Sequence, residues 1–289
     1  MDFVGKRKIW YLLSLLIIVP GLFSLAIQGL NFGIDFAGGN LVQVQFAKEV
    51  TTEGVRNALS TISLKDSAIQ ASENNIFIIK TKVMEQSEQD KMVKTLEKEM
   101  GDLEILRSEK VGPTIGKELR RAGLMALIIA IILMIIYITI RFEFKFAVAA
   151  IVALLHDILV TVGIFSLLQI EVDSAFIAAI LTIFGYSIND TIVIFDRIRE
   201  NMKKTKKIEL TTIVNNSIMQ TLARSINTVL TVLFVLFALY FLGGETTKIF
   251  VLALLIGITS GAYSSIFTAS PVWIDLRNMG KNKFIKAKA

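Results

Sequence analysis

The stretch FGYSINDTIVIFDRIREN, Phe184 to Asn201, follows the apolar run SAFIAAILTI, Ser174 to Ile183. A spanning helix needs about 20 mainly apolar residues. Read together, the two stretches meet that length, and they place Asn189 and Asp190 inside the hydrophobic segment. A carboxylate in hydrocarbon costs about 2.5–3.5 kcal/mol on insertion scales. Asp190 therefore needs a reason to be there. Either it is held by a structural hydrogen bond, or its charge does work.

Five further segments have the same character. With the first, the expected spans are roughly 9–28, 122–140, 146–168, 174–195, 222–242 and 247–271. The composition agrees: 53% of the residues are hydrophobic and only 3 are proline. The first span has a basic start, but its apolar run is too long for a signal-peptide core and no A-x-A site follows, so a retained anchor is expected. The net charge of +6 is distributed by loop. Lys6, Arg7 and Lys8 precede span one, and Arg141 and Lys145 lie between spans two and three. Arg197, Arg199, Lys203, Lys204, Lys206 and Lys207 separate spans four and five, and Arg277, Lys281, Lys283, Lys286 and Lys288 follow span six. The opposite loops, Gln169–Asp173 and Gly243–Lys248, carry almost none. The positive-inside rule puts both termini in the cytoplasm. The same distribution argues against a nucleic-acid partner and leaves a contact between the basic tail and anionic lipid as a weaker expectation. There is no cysteine and one histidine, His156, which excludes a disulfide frame and a thiol nucleophile and speaks against a histidine metal site.

Between spans one and two lies a polar segment, about Gly29 to Arg121, whose mixed charges suit a folded extracytoplasmic domain. Asn40–Ala47 alternates as a strand does. Thr51–Ile62 reads as a helix capped by Thr51, with Val55, Leu59 and Ile62 on one face. Residues 67–72 and 75–81 read as strands around a turn at Glu73-Asn74-Asn75. Ser87–Met100 reads as a helix with Ser87 as its cap and Met92, Val93, Leu96 and Met100 as its stripe. Asp102–Val111 gives a last strand. The order βαββαβ predicts a small ferredoxin-like α+β domain at residues 31–121. It sits between residues 1–30 (N-terminus and span one) and 122–275 (spans two to six), with a basic tail at 276–289. Asp196–Gln220 is expected to be a basic helical segment at the membrane surface, serving either topology or docking.

Polar residues recur inside the spans. Asp190 lies 16 residues from Ser174, and Arg224 lies 18 from Leu242. Those are depths of about 24 and about 27 Å, so the two are expected to pair across neighbouring spans. Tyr186 and Ser187 accompany Asp190. Gln220, Arg224, Asn227, Thr228 and Thr231 form one stripe, expected to face the bundle interior or a water-filled path. Snorkelling to the interface is the alternative for Arg224. His156 and Asp157 stand near the middle of span three, as a proton relay or as a structural hydrogen bond. On span six, Gly257, Ser260, Gly261, Ser264 and Thr268 make a small-residue face suited to close packing. No nucleophile–base–orienter set, nucleotide loop or metal cluster is visible, so no enzyme activity and no cofactor are expected.

FGIDFAGGN (Phe32–Asn40), VGPTIGKEL (Val111–Leu119), LLHDIL in span three, FGYSINDTIVIFDRIREN in span four and RSINT (Arg224–Thr228) together resemble the SecF side of the SecD/SecF family of protein-export membrane proteins, within the resistance–nodulation–division superfamily. Gly33, Asp35, Gly38, Gly39, Gly112 and Pro113 stand in the first two of these motifs. The resemblance implies a SecD partner, association with the SecYEG channel and often YajC, an indirect link to SecA, and translocating preproteins as cargo. It implies residence in a bacterial cytoplasmic membrane with membrane lipids as neighbours. It also implies protons as the coupling ion, with Asp190 and Arg224 in their path. Within this resemblance, Asn189, Asn227 and Thr228 would support the path. The competing functions are a small-molecule or lipid exporter of the same superfamily, and a non-transporting scaffold.

Overall fold

The computed structural model describes residues 2–72, 74–204 and 208–286; the side chains of Glu245 and residues 280–286 lie outside that description. In chain order the elements are α1 (Arg7–Ile27), α2 (Ile34–Ala37), β1 (Gly39–Phe46), α3 (Thr52–Ser60), β2 (Ala68–Ala71), β3 (Ile76–Thr81), α4 (Gln86–Met100), β4 (Leu103–Val111), α5 (Pro113–Arg141), α6 (Phe144–Leu167), α7 (Ser174–Lys204), α8 (Leu210–Leu242) and α9 (Glu245–Ser264). A π-helical turn, Ser265–Ala269, then leads into α10 (Ser270–Lys286). Two units result: Met1–Asn31 with Met125–Ala289, and Phe32–Leu124.

Among the described residues, six helices are long and apolar enough to cross a membrane: α1, α5, α6, α7, α8, and the run Thr246–Met279 through the π turn. Small residues set the closest approach in the first unit. A Cβ on Gly21 of α1 would lie 2.7 Å from the Gly163 Cα of α6, so only glycine lets these backbones meet. Beside that contact, Ser24 Oγ and Ser166 Oγ are 2.8 Å apart, and Gln28 Nε2 donates to the Ser166 carbonyl at 2.9 Å. Nearer the other end, Phe146 stacks on Trp273 with ring centroids 4.5 Å apart, and Phe195 lies 4.8 Å from Phe146. The N-terminal residues dock on α8: Asn215 Oδ1 accepts from the Phe3 and Val4 amides at 2.9 and 3.1 Å. The Gly5 amide, and then Asn215 Nδ2, hold the Asp2 carboxyl below its ordinary range.

Within the segment Asp196–Gln220, residues 196–204 and 210–220 are helical, as expected. α7 continues unbroken to Lys204 and α8 begins at Leu210, so these residues extend spans four and five. The helical period carries through Arg197 and Arg199 because no proline or glycine interrupts it. Lys206 and Lys207 lie outside the described residues, as do Lys288 and the side chains of Lys281, Lys283 and Lys286. α10 itself runs helically to Lys286.

The second unit has the expected βαββαβ order. Its antiparallel sheet runs β2-β3-β1-β4, the ferredoxin-like arrangement. Alternation on β1 sends Val42, Val44 and Phe46 into a core with Phe77, Ile79, Val55, Leu59, Met92 and Leu96. Thr51 caps α3, its side chain accepting from the Gly54 amide at 3.1 Å. At α4 the cap is Glu85 and not Ser87. Glu85 and Glu88 form a reciprocal capping box, and Ser87 falls within the first turn. Asn74 and Asn75 both take left-handed backbone angles between β2 and β3; Glu73 lies outside the described residues.

The glycine motif acts through space and backbone angle. Gly33 is the N-cap of the single turn α2, which holds Asp35. Gly38 has φ +79°, and a Cβ on Gly39 would sit 2.5 Å from the Thr81 carbonyl. Pro113 opens α5, where a missing amide hydrogen costs nothing. Nothing near Gly112 requires a glycine.

Candidate functional site

Among the described residues, two buried carboxylates occupy the helical unit. Asp157, midway along α6, is fully buried. Its Oδ1 accepts from Ser260 Oγ at 2.7 Å and lies 3.0 Å from His156 Nδ1. Its Oδ2 accepts from Ser187 Oγ at 2.7 Å and Ser264 Oγ at 2.8 Å. The serines come from α7 and α9, so one carboxylate ties three spans together. Gly261 makes room for it, since a Cβ there would meet Ser187 Cβ at 3.2 Å and Asp157 Oδ2 at 3.4 Å. His156 carries the network on to α1. Its Nε2 lies 3.0 Å from Ser14 Oγ, which is 3.3 Å from Tyr263 Oη; Tyr263 donates to the Trp10 carbonyl at 2.9 Å.

Asp190 on α7 is 7% exposed and is held differently. Ser225 Oγ of α8 donates to Oδ1 at 2.6 Å. Oδ2 is buried without a hydrogen-bond partner among the described residues. At the next residue, Thr191 Oγ1 lies 2.9 Å from Ser265 Oγ in the π turn. Such turns interrupt a helix at points where a side chain must reach its carbonyl ladder, and they are frequent at functional sites.

Arg224 departs from the expected geometry. Among the described residues it forms no ion pair with Asp190 and lies exposed on α8. With Val193, Asp196, Arg197, Glu200, Gln220 and Thr221 it lines a polar cleft of about 600 Å³ between the ends of α7 and α8. Equal depth placed Arg224 and Asp190 at one level, but a helix turns about 100° per residue, and it is the neighbouring Ser225 that faces the carboxylate. The stripe behaves the same way. Gln220, Asn227, Thr228 and Thr231 are exposed on this chain, not directed into its own interior. Asn189 is exposed on α7 as well, and the half-buried Tyr186 reaches across to donate to the Thr228 carbonyl at 2.8 Å. Ser187, expected beside Asp190, belongs to the Asp157 centre instead.

Several partners carried no sequence signal strong enough to single out. Ser14 is an isolated polar residue on an apolar helix, while Tyr263, Ser225 and Ser265 stand beside polar residues whose own roles drew the reading. Ser260 and Ser264 were visible as small residues suited to packing, and they also supply hydrogen bonds to Asp157. Among the described residues no group of three or more His, Asp or Glu could hold a metal ion.

The sequence matches the family model described as "Protein export membrane protein SecD/SecF, C-terminal" over residues 91–279, and the "SecD/SecF GG Motif" over residues 23–50. The chain belongs to the SecD/SecF family. One full-length SecD/SecF relative is the protein translocase subunit SecF of Sebaldella termitidis, 43% identical over 97% of this chain and 93% of its own length. The subunit SecDF of Bacillus subtilis is 44% identical over 94% of this chain, which spans 38% of that longer protein. The crystal structure of SecDF from Thermus thermophilus, described as a translocon-associated membrane protein, superposes with TM-score 0.88 at 36% identity, covering 96% of this chain and 39% of that one. In this SecD/SecF chain the GG motif is the Gly38-Gly39 turn, while both buried carboxylates fall within the C-terminal match.

Proposed function

We propose that this chain is a SecF-type accessory subunit of the Sec preprotein translocase, that it pairs with a SecD-type partner, and that it couples the proton-motive force to export across the cytoplasmic membrane. Family membership supports the translocase setting. The observation that carries the coupling role is Asp190: a buried carboxylate on a spanning helix with one donor and one bare oxygen, a turn from a polar cleft. Such a group can accept and release a proton without dismantling a network. Asp157, gripped by three serines and next to His156, is the fixed carboxylate of the bundle. In this reading it orients α6, α7 and α9, and it does not carry protons itself.

The exposed stripe Gln220–Arg224–Asn227–Thr231 supports pairing. A row of polar groups does not face lipid, so a second bundle must cover it. The SecDF relatives supply a precedent, since this chain spans under two fifths of their length. Arg224 would then meet Asp190 or a partner group across the covered face. SecYEG, YajC, SecA and the preprotein stand around this pair as further partners, and the basic ends lie on the cytoplasmic side. The test is export of a secretory precursor into inverted vesicles that contain the channel and the SecD-type partner, with and without this chain and with and without a proton gradient. The proposal requires a gradient-dependent increment that appears only when the chain is present. An exporter of small molecules would leave precursor export unchanged. A scaffold would raise it equally in both gradient conditions.

A further inference from the structure

The polar cleft between the ends of α7 and α8 has a built closure. Gln220 Oε1 accepts from Arg197 Nε at 2.6 Å and from Asn201 Nδ2 at 2.9 Å. Asn201 Nδ2 also donates to Ser217 Oγ at 2.9 Å, one turn before Thr221 on α8. Arg197 is braced in turn, its Nη1 donating to Glu200 Oε2 at 2.6 Å, and Lys204 Nζ holds the other Glu200 oxygen at 2.6 Å. Asp196 faces Arg141 of α5 at 3.7 Å. One glutamine side chain is thus clamped by two donors across the mouth where α7 and α8 diverge.

Val193 and Thr221 line the same cleft as the clamp residues. Thr221 is buried, its hydroxyl turned to the carbonyls of Ser217 and Ile218. One helical turn further on each helix stand Asp190 and Ser225, the buried pair at 2.6 Å. A turn is about 5.4 Å, two water diameters or less. Two of the lining residues, Val193 and Thr221, thus stand one turn from the carboxylate with the bare oxygen. The charged groups facing it are Asp196, Arg197 and Glu200 from α7 and Arg224 from α8, with Arg141 of α5 and Lys204 behind the two acids. Its walls are polar and can hold water.

We propose that this cleft is the aqueous port to Asp190 and that the Arg197–Gln220–Asn201 clamp is its gate. With the clamp closed, Val193 and Thr221 seal Asp190 from the cleft. When Gln220 is released, water reaches the carboxylate, and protons exchange with it from the end of the bundle that carries the basic residues. Gln220 acts as a positioning residue: it touches no proton-carrying group and works by holding two helix ends together. The inference rests on the proton-handling reading of Asp190.

The chain has no cysteine, so Thr221→Cys supplies its sole thiol. The probe is a charged, water-soluble thiol reagent applied to vesicles of either orientation that hold the full chain with its SecD-type partner. The cysteine is expected to react slowly, and only from the face bearing Arg197 and Lys204. Gln220→Ala removes both hydrogen bonds and should speed that reaction at least about tenfold, the lower bound set by the charge-assisted bond from Arg197 alone. Gln220→Glu keeps an acceptor for Arg197 and should stay slow. Arg197→Gln should open the port as Gln220→Ala does. Equal rates in all four backgrounds, no reaction in any, or reaction from the opposite face would each overturn the gate. Loss of gradient-dependent export in Asp190→Asn without the labelling pattern would leave the proposed function standing and remove this inference. The labelling pattern with Asp190→Asn still gradient-dependent would keep the gate's mechanics but overturn its link to proton exchange.

Discussion

Asp157 and Asp190 sit on neighbouring helices in opposite states of satisfaction. Ser187, Ser260 and Ser264 all donate to Asp157, while Asp190 has Ser225 alone and one oxygen without a partner among the described residues. Hydrogen bonds to a charged group are worth about 1.5–3 kcal/mol each, and a half-satisfied buried network costs more than its parts suggest. Asp157→Asn replaces one acceptor oxygen with a donor that faces serine hydroxyls. It should lower the stability of the detergent-solubilised protein by about 3 kcal/mol, read from its thermal unfolding. Asp190→Asn should change that unfolding far less, since its amide oxygen can still accept from Ser225. Equal destabilisation would remove the division between a fixed and a working carboxylate. That division could not be read from the sequence. Both aspartates were visible as charges in apolar spans, and His156 was visible as the single histidine. Which of them is saturated depends on Ser14, Ser225, Ser260 and Ser264, and a lone serine on a spanning helix looks the same whether it packs or donates. The expected Asp190–Arg224 pair does not close as a direct ion pair among the described residues for a related reason: residue spacing gives depth along a helix, but the facing direction depends on how α7 and α8 are rotated against each other.

The elements were legible wherever a periodic pattern ran long enough. All six spans follow from apolar runs, the strand β1 from alternation, and β3 from a short apolar run bounded by a turn. The misses lie at ends and interruptions. The cap at Glu85 hides beside a serine with a higher capping preference, and it wins because Glu88 closes the reciprocal box. The lengths of α7 and α8 beyond the apolar core were hidden because charged helix and charged loop have similar composition. The π turn at Ser265–Ala269 has no sequence signature. The contact between α1 and α6 sets backbone against backbone at Gly21 and Gly163. Gly21→Leu should force these helices apart, at a cost of about 1–3 kcal/mol. A cysteine pair at Ser24 and Ser166, whose hydroxyls are 2.8 Å apart, would report it. Oxidation should crosslink the pair readily in the parent and poorly with Gly21→Leu. Undiminished crosslinking would show that the glycine contact does not set the spacing.

At the scale of the whole molecule, two units with separate cores follow from the sequence's division into an apolar bundle and a mixed-charge segment. The domain's core is closed by its own strands and helices, so a soluble fragment of residues 35–110 should fold alone. Amide hydrogen exchange should show protection concentrated on β1, β3 and α4. Uniform fast exchange would mean that the domain needs the rest of the chain. The bundle, by contrast, is incomplete as a membrane solute, because the outward stripe on α8 and Asn189 on α7 need cover. Full-length chain purified without a SecD-type partner should aggregate or self-associate, and co-expression with the partner should yield a stable complex of one chain each. The most direct test of the central claim, that Asp190 links protons to export, compares Asp190→Asn with the parent in vesicles bearing the assembled translocase. The quantity measured is the difference in precursor export with and without a proton gradient. The account predicts that Asp190→Asn inserts and assembles normally and that its export no longer responds to the gradient. A variant that assembles and keeps the parent's full gradient-dependent increment would contradict it.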